Sequence, residues 1–499
     1  MEIKRNLALG LTTIIVIGSL FVNCKKVATP AVTKPVTGAI KDTSIVNRFI
    51  YNGLQEYYLW TDLVPKLAPA KYANKDSMNV FLNSYTDPQK IFTDLLYQDG
   101  TVDKWSFLVS DSLTITNWIQ GISETMGFDF MLKRIGTTDN VFGFVRYIYK
   151  GSPAEKAGMK RGDLFMKIND TQLTVANYYA LMFQTLTYKL TFATATPTST
   201  GYSISSNSNS VTMTAVTMQE NPILVDTVLT VNNLKIGYLV YNGFNSDYDL
   251  QLNDVFKKFK NASIDKLVLD LRYNGGGSVQ TAKYLASMIY GTATTSVFFK
   301  SEYNSSWQAY ITSTSGASSL LEYFTDKILA TSTTPETAIN TLNLTTLYVI
   351  TTGNTASASE LLINGLKPYM QVFTVGTKTV GKYVASVTIT DRYVNGNRNN
   401  KYAMQPIIVK MANANGVTDF VDGLAPDYVA NEDNLNLLPF GNQNEALLKP
   451  VLNKILGLPL ASFTLKSDQT AFPAVFDSRA QQPYSQNMYI SKLPKTPIK

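Results

Sequence analysis

Ser357 stands where an apolar run, Leu347-Tyr348-Val349-Ile350, gives way through Thr355-Ala356 to a helix-like stretch ending near Leu366. A serine at a helix start sits among unpaired N–H groups and the positive dipole end, which favour developing negative charge. Its hydroxyl becomes a useful nucleophile only when a base takes its proton. The chain contains no histidine and a single cysteine. That excludes a Ser-His-Asp triad, a Cys-His pair, a His-ligated or Cys-rich metal site and an intrachain disulfide. The base must therefore be something other than imidazole. Lysine serves when burial lowers its pKa enough to populate the neutral amine. Lys382, in Thr379-Val380-Gly381-Lys382-Tyr383, stands 25 positions after Ser357, just beyond a third apolar run, Val372-Phe373-Thr374-Val375. The Ala358 N–H could donate to an oxyanion, and a glycine within 275–277 lets backbone come close enough to supply a second donor.

Each residue also has a plain structural reading. Ser357 alone reads as a helix N-cap with Glu360 completing a capping box. Lys382 alone reads as a solvated strand-end lysine, and glycines 275–277 as a turn. The elements around them weigh against coincidence. Lys266-Leu267-Val268-Leu269-Asp270-Leu271 reads as a buried strand running into Arg272-Tyr273-Asn274-Gly275-Gly276-Gly277, with a helix from Ser278 to about Tyr290. Strand, turn and helix then recur at Ser357, and Val372–Val375 gives a third strand. This pattern predicts βαβ crossovers and an α/β core. Chemistry in such cores gathers at the carboxyl ends of the strands, so the glycine run and Ser357 are expected on one sheet edge.

Three segments together resemble the signatures of the C-terminal processing (tail-specific) peptidases: Asp270-Leu271-Arg272 with its glycines, Ser357-Ala358-Ser359-Glu360, and Thr379-Val380-Gly381-Lys382. Gly423-Leu424-Ala425-Pro426-Asp427 is similar to the segment that closes that family's core. The resemblance covers roughly residues 120–455. It implies Ser357 as nucleophile, Lys382 as general base, Gly276 and Ala358 as oxyanion donors, and Glu360 and Thr379 as supporting residues, with no cofactor or metal. It also implies a crotonase-like α/β catalytic core over 221–456. This chain differs from the family in having Tyr273, Gly275 and Tyr383 at positions where asparagine, proline and glycine are common. Pro368 stands where an acidic residue is frequent.

Two further segments carry resemblances. Gly151-Ser152-Pro153-Ala154 through Gly162-Asp163 resembles a PDZ domain of the bacterial protease type, placed as an inserted domain over 119–220. Met126, Gly127 and Phe128 would then form the loop that holds a peptide C-terminal carboxylate, with the peptide added as a strand beside a helix. At the N-terminus, Lys4 and Arg5 precede an apolar run from about Leu7 to Val22 that ends at Cys24. A charged start followed by such a run reads as an export signal. Leu20-Phe21-Val22-Asn23-Cys24 resembles a bacterial lipoprotein signal over 1–24, which implies lipidation of Cys24, a membrane anchor and a cell-envelope location. Residues 25–42 would be an extended tether, spanning roughly 25 Å as a flexible coil.

The rest of the chain is read more simply. Apolar and aromatic residues at helical spacing predict a helical N-terminal domain over 43–118, including helices near Met78–Leu82 and Ile91–Leu96. Val175–Leu181 reads as a helix, the Thr- and Ser-rich residues 185–215 as a loop or mobile hairpin, and 457–499 as a polar, Pro-containing tail. The net charge of +7 is spread along the chain without a basic block, so no nucleic-acid partner is expected. The expected partners are polypeptides with accessible or apolar C-termini. A lipid-anchored scaffold without turnover is the competing function, and no Walker or GxGxxG pattern supports a phosphate or acyl-CoA cradle.

Overall fold

In a computed structural model of the chain, residues 44–68, 72, 74–199, 201–332, 334–391, 393–394, 397–460, 472–479 and 485–491 are described. Cys24 and the 25–42 tether lie outside the described residues. Among the described residues, no helix is long and apolar enough to cross a membrane, and no cluster of acidic residues or cysteine could hold a metal ion.

The α/β core is a six-stranded sheet in the order Ile223–Val231, Leu234–Tyr241, Lys266–Asp270, Thr346–Thr351, Gln371–Gly376, Tyr428–Val429. Its first pair is antiparallel and the others are parallel. The middle strands are almost wholly buried, which is why they read as continuous apolar runs rather than alternating ones. Helices Val279–Ile289 and Ala358–Leu366 pack on this sheet and on each other.

A second six-stranded sheet lies beside it, in the order Gly277–Ser278, Met488–Tyr489, Val384–Ser386, Ile407–Ala412, Val297–Glu302, Leu321–Tyr323. The glycine run, the segment after Lys382 and the far end of the chain therefore meet in one sheet. That meeting defines the site.

The N-terminal helices Ile45–Tyr57, Lys75–Asn83 and Pro88–Asp94 share one hydrophobic cluster with the α/β core, from Ile50 and Leu54 to Val409 and Met488. Strand Phe107–Val109 pairs with Ala403–Gln405, which also pairs with Ile389–Thr390, so a separate three-stranded sheet joins the helical region to the rest of the core.

The inserted domain has its own core and a seven-stranded sheet. Its helix spans Tyr178–Phe183 and starts later than the apolar spacing suggested. Thr174 N–H donates to Asn177 Oδ1 (2.7 Å) and Asn177 N–H to Thr174 Oγ1 (3.2 Å), so these side chains form a turn first. Residues 187–198 and 201–214, within the stretch expected as a loop or hairpin, form two long paired strands. Threonine's branched side chain suits strands, so low hydrophobicity there did not mean irregular backbone.

The region expected as a polar tail contains two more strands. Ala474–Asp477 joins the inserted domain's sheet, and Met488–Tyr489 joins the second six-stranded sheet.

Candidate active site

Ser357 is fully buried, with φ 68° and ψ −116° just before helix Ala358–Leu366. A non-glycine residue in this region is strained, and such strain persists only where its surroundings impose it. The restraint is visible. Ser357 N–H donates to Glu360 Oε2 at 2.7 Å, and Lys382 N–H donates to the same oxygen at 2.9 Å. One carboxylate oxygen therefore ties together the backbones of two residues 25 positions apart. Glu360 Oε1 accepts from Thr379 Oγ1 (2.5 Å) and Gly381 N–H (2.7 Å). Burial pushes the Glu360 carboxyl up, and these four donors pull it back. Thr379 Oγ1 in turn accepts from Leu424 N–H at 2.7 Å, linking the site to the Gly423–Asp427 segment.

The Ser357 hydroxyl has no hydrogen-bond partner among the described residues. Gly276 is pressed against it. A Cβ on Gly276 would lie 2.6 Å from Ser357 Cβ and 3.0 Å from the Asn487 carbonyl oxygen, and its φ of +110° also favours glycine. Gly276 N–H donates to Asn274 Oδ1 at 2.9 Å. Ala358 N–H, at the first helical position, is one of the four that a helix leaves without an internal partner. A cleft of about 440 Å³ opens beside Gly275–Gly277, walled by Trp118, Asn242, Asn245, Asn487 and Tyr489. Asn242 is buried there, and neither end of its side-chain amide has a partner among the described residues.

Lys382 is also fully buried, and its Nζ donates to Asn487 Oδ1. The Trp105 ring lies 5.4 Å from that nitrogen. Burial drives the Lys382 amine well below its usual range, against the pull of Asp103 and Glu360 in the other direction. Trp105, Asp103 and Asn487 carry no motif or spacing that marks them in the sequence, because they lie 250 or more residues before Lys382 or 105 after it. The short apolar run Met488-Tyr489-Ile490 was the one available hint of a strand.

The lowered Lys382 pKa makes a testable sign. Between its folded value and the ordinary 10.5, the unfolded chain binds a proton that the folded chain does not. Stability contributed by this site therefore rises with pH across that window and is lost as pH falls. Relative to Lys382→Met, the parent should gain up to about 1.4 kcal/mol per pH unit. Urea midpoints of both proteins between pH 7 and 10 test this, and parallel curves would refute a neutral buried amine.

The motif Asp270-Leu271-Arg272 does structural work. Arg272 is fully buried and donates to Asp270 (2.7–3.2 Å), Glu445 (2.7 and 3.0 Å) and Glu432 (2.9 Å). Arg161 of the inserted domain reaches Glu432 (2.8 Å) and Tyr273 Oη (2.9 Å). This cluster fixes the base of the glycine run and docks the inserted domain beside it.

In the inserted domain, Gly127 has φ +82° and its N–H donates to Thr125 Oγ1 at 2.9 Å. Met126 and Phe128 line a cavity of about 140 Å³ with Phe130, Met182, Phe183 and Tyr188. Alongside it, the groove between strand Phe128–Arg134 and helix Tyr178–Phe183 holds the chain's own Ala474–Asp477, paired antiparallel to that strand. The Phe476 ring lies 5.8 Å from Phe130, 5.3 Å from Tyr178 and 5.2 Å from Phe183.

Known proteins are similar to this chain over these regions. Residues 235–430 match Peptidase family S41, residues 46–107 the peptidase S41 N-terminal domain, and residues 144–184 a PDZ domain. Over 239 residues the chain is 26% identical to a Staphylococcus aureus protein assigned as a CtpA-like serine protease. That match spans 48% of this chain and 41% of the relative's length. The fold superposes on a Bacteroides fragilis protein assigned to the S41 proteases with a TM-score of 0.64 at 25% identity, covering 82% of this chain and 97% of the other.

Proposed function

This chain belongs to peptidase family S41, and from that premise we propose that it cleaves polypeptides through an acyl-enzyme on Ser357 with Lys382 as general base. The observation that supports the reading is the single Glu360 oxygen that binds the backbone N–H groups of both Ser357 and Lys382; the serine hydroxyl has no partner among the described residues, and the buried lysine has its charge suppressed. The neutral Lys382 amine takes the Ser357 proton as Oγ attacks the scissile carbonyl carbon. The oxyanion is held by Ala358 N–H and by Gly276 N–H, which must first leave Asn274 Oδ1. Collapse expels the amine, which takes the proton from Lys382, and water then releases the acyl group by the same route in reverse. The cleft beside Gly275–Gly277 receives the chain to be cut.

The direct experiment is acid-quenched turnover of an unfolded polypeptide with an apolar C-terminus, followed by peptide mass spectrometry. An acyl adduct on Ser357 together with cleavage products is expected. Cleavage accompanied by an adduct elsewhere would overturn the assignment.

The PDZ domain is read as the receptor for substrate C-termini, entering at Met126, Gly127 and Phe128. Its groove is partly filled by Phe476, so a substrate competes with the chain's own segment. Phe476→Ala should then raise the affinity for a labelled apolar C-terminal peptide about tenfold or more, because a larger fraction of molecules has the groove open. Unchanged anisotropy titrations would remove the groove from the mechanism. The envelope location and the lipid on Cys24 complete the proposal. They are supported by the charged start and the apolar run that ends at the chain's one cysteine.

A further inference from the structure

A neutral amine is a competent base only when its lone pair faces the proton to be taken. A lysine nitrogen on four methylenes rotates freely unless one of its N–H groups is held. In this chain the holding atom is Asn487 Oδ1. Asn487 is itself 4% exposed and sits in a rigid frame. The following residues Met488–Tyr489 pair with Gly277–Ser278 on one side, and Tyr489 pairs with Ser386 on the other. Ser386 Oγ donates to Met488 O at 3.0 Å and itself accepts from Gln405 Nε2 at 3.1 Å. Ile490 N–H donates to Ser386 O at 2.9 Å.

An amide oxygen suits this place. It accepts an N–H without offering a proton, and it carries no charge that would keep the lysine protonated. The Asn487 carbonyl oxygen meanwhile lies beside Gly276, so one residue touches both the base and the oxyanion loop.

We propose that Asn487 is the positioning residue of the general base, and that the C-terminal segment 485–490 is thereby part of the catalytic site rather than a tail. The inference rests on the Ser357/Lys382 reading. The charged groups acting on Lys382 are Asp103 and Glu360, and both are unchanged in the variants that test it.

Asn487→Leu and Asn487→Asp in the full chain separate positioning from mere support. Two readouts are needed: the pH profile of kcat and KM on the unfolded polypeptide, and the titration of the Lys382 Cε resonance in 13C-lysine-labelled protein, assigned by its loss in Lys382→Met. Asn487→Leu should lower kcat about 10- to 100-fold with little change in KM. The near-isosteric Asn487→Asp should move the acid limb and the Lys382 titration up by about 1–3 pH units, as expected for a carboxylate in contact with an ammonium. Its activity should return at high pH. Unchanged kcat in Asn487→Leu with an unshifted limb in Asn487→Asp would overturn the inference, provided Lys382→Met is inactive. An active Lys382→Met would instead overturn the dyad. If the parent itself does not cleave, the titration decides alone, since it needs no turnover: a Lys382 that does not shift in Asn487→Asp overturns the contact, and one that shifts sustains it.

Discussion

Ser357→Ala is expected to lower turnover of an unfolded polypeptide by about 10⁴- to 10⁶-fold, the range typical for loss of a serine nucleophile. The fold should survive. The Ser357 hydroxyl has no hydrogen-bond partner to lose among the described residues, and alanine keeps the Cβ that packs against Gly276. The backbone strain at φ 68° remains, because the Glu360 bond to the Ser357 N–H does not depend on the side chain. Lys382→Ala should cost a similar factor in kcat, since the nucleophile and its base act as one unit. The double variant should then be no worse than the more damaged single one. Additive losses would mean that the two residues act separately, and residual activity within tenfold of the parent in either would sink the assignment. Circular dichroism and thermal unfolding of the same samples separate lost chemistry from lost structure.

The second large effect is on stability. Arg272→Ala leaves Asp270, Glu445 and Glu432 facing one another in a buried site, and removing one member of such a cluster typically costs about 3–5 kcal/mol. The pH dependence has a definite sign. Burial pushes the Glu432 carboxyl up, but Arg272 and Arg161 outweigh it and hold it at about 2. Glu445 is lowered in the same way. Carboxylates with depressed folded values stabilise the protein fully above their ordinary value of 4.5 and lose that contribution as pH falls through the folded value. The parent should therefore hold its urea midpoint from neutral pH to about 4.5 and lose it steeply towards 2. Arg272→Ala should start from a lower midpoint and show a weaker loss in that window. If the variant unfolds at the parent's midpoint, the cluster is not holding the loop. Because the cluster joins Arg161 of the inserted domain to Tyr273 beside the glycine run, the variant should also lower activity without touching the dyad.

The sequence by itself determined which chemistries are excluded, and the sheet that carries the candidate site. The absence of histidine removed every imidazole mechanism, and a serine and a lysine after successive buried strands remained. Buried parallel strands are legible because both faces are covered, so Lys266–Asp270, Thr346–Thr351 and Gln371–Gly376 appear as apolar runs. Glu360 was legible as a partner of Ser357, because a capping box is a local pattern.

Only the tertiary structure decided what surrounds the lysine and what fills the groove. Trp105 and Asp103 reach Lys382 from the N-terminal region, and Asn487 reaches it from the far end of the chain. None of these contacts leaves a periodicity or spacing in the sequence, since pairing between distant strands is set by burial and register rather than by neighbours along the chain. The same holds for Ala474–Asp477. Four residues in a polar, Pro-containing stretch carry almost no local signal, and their strand exists because the edge of Phe128–Arg134 and the apolar gap above it are there to receive Phe476.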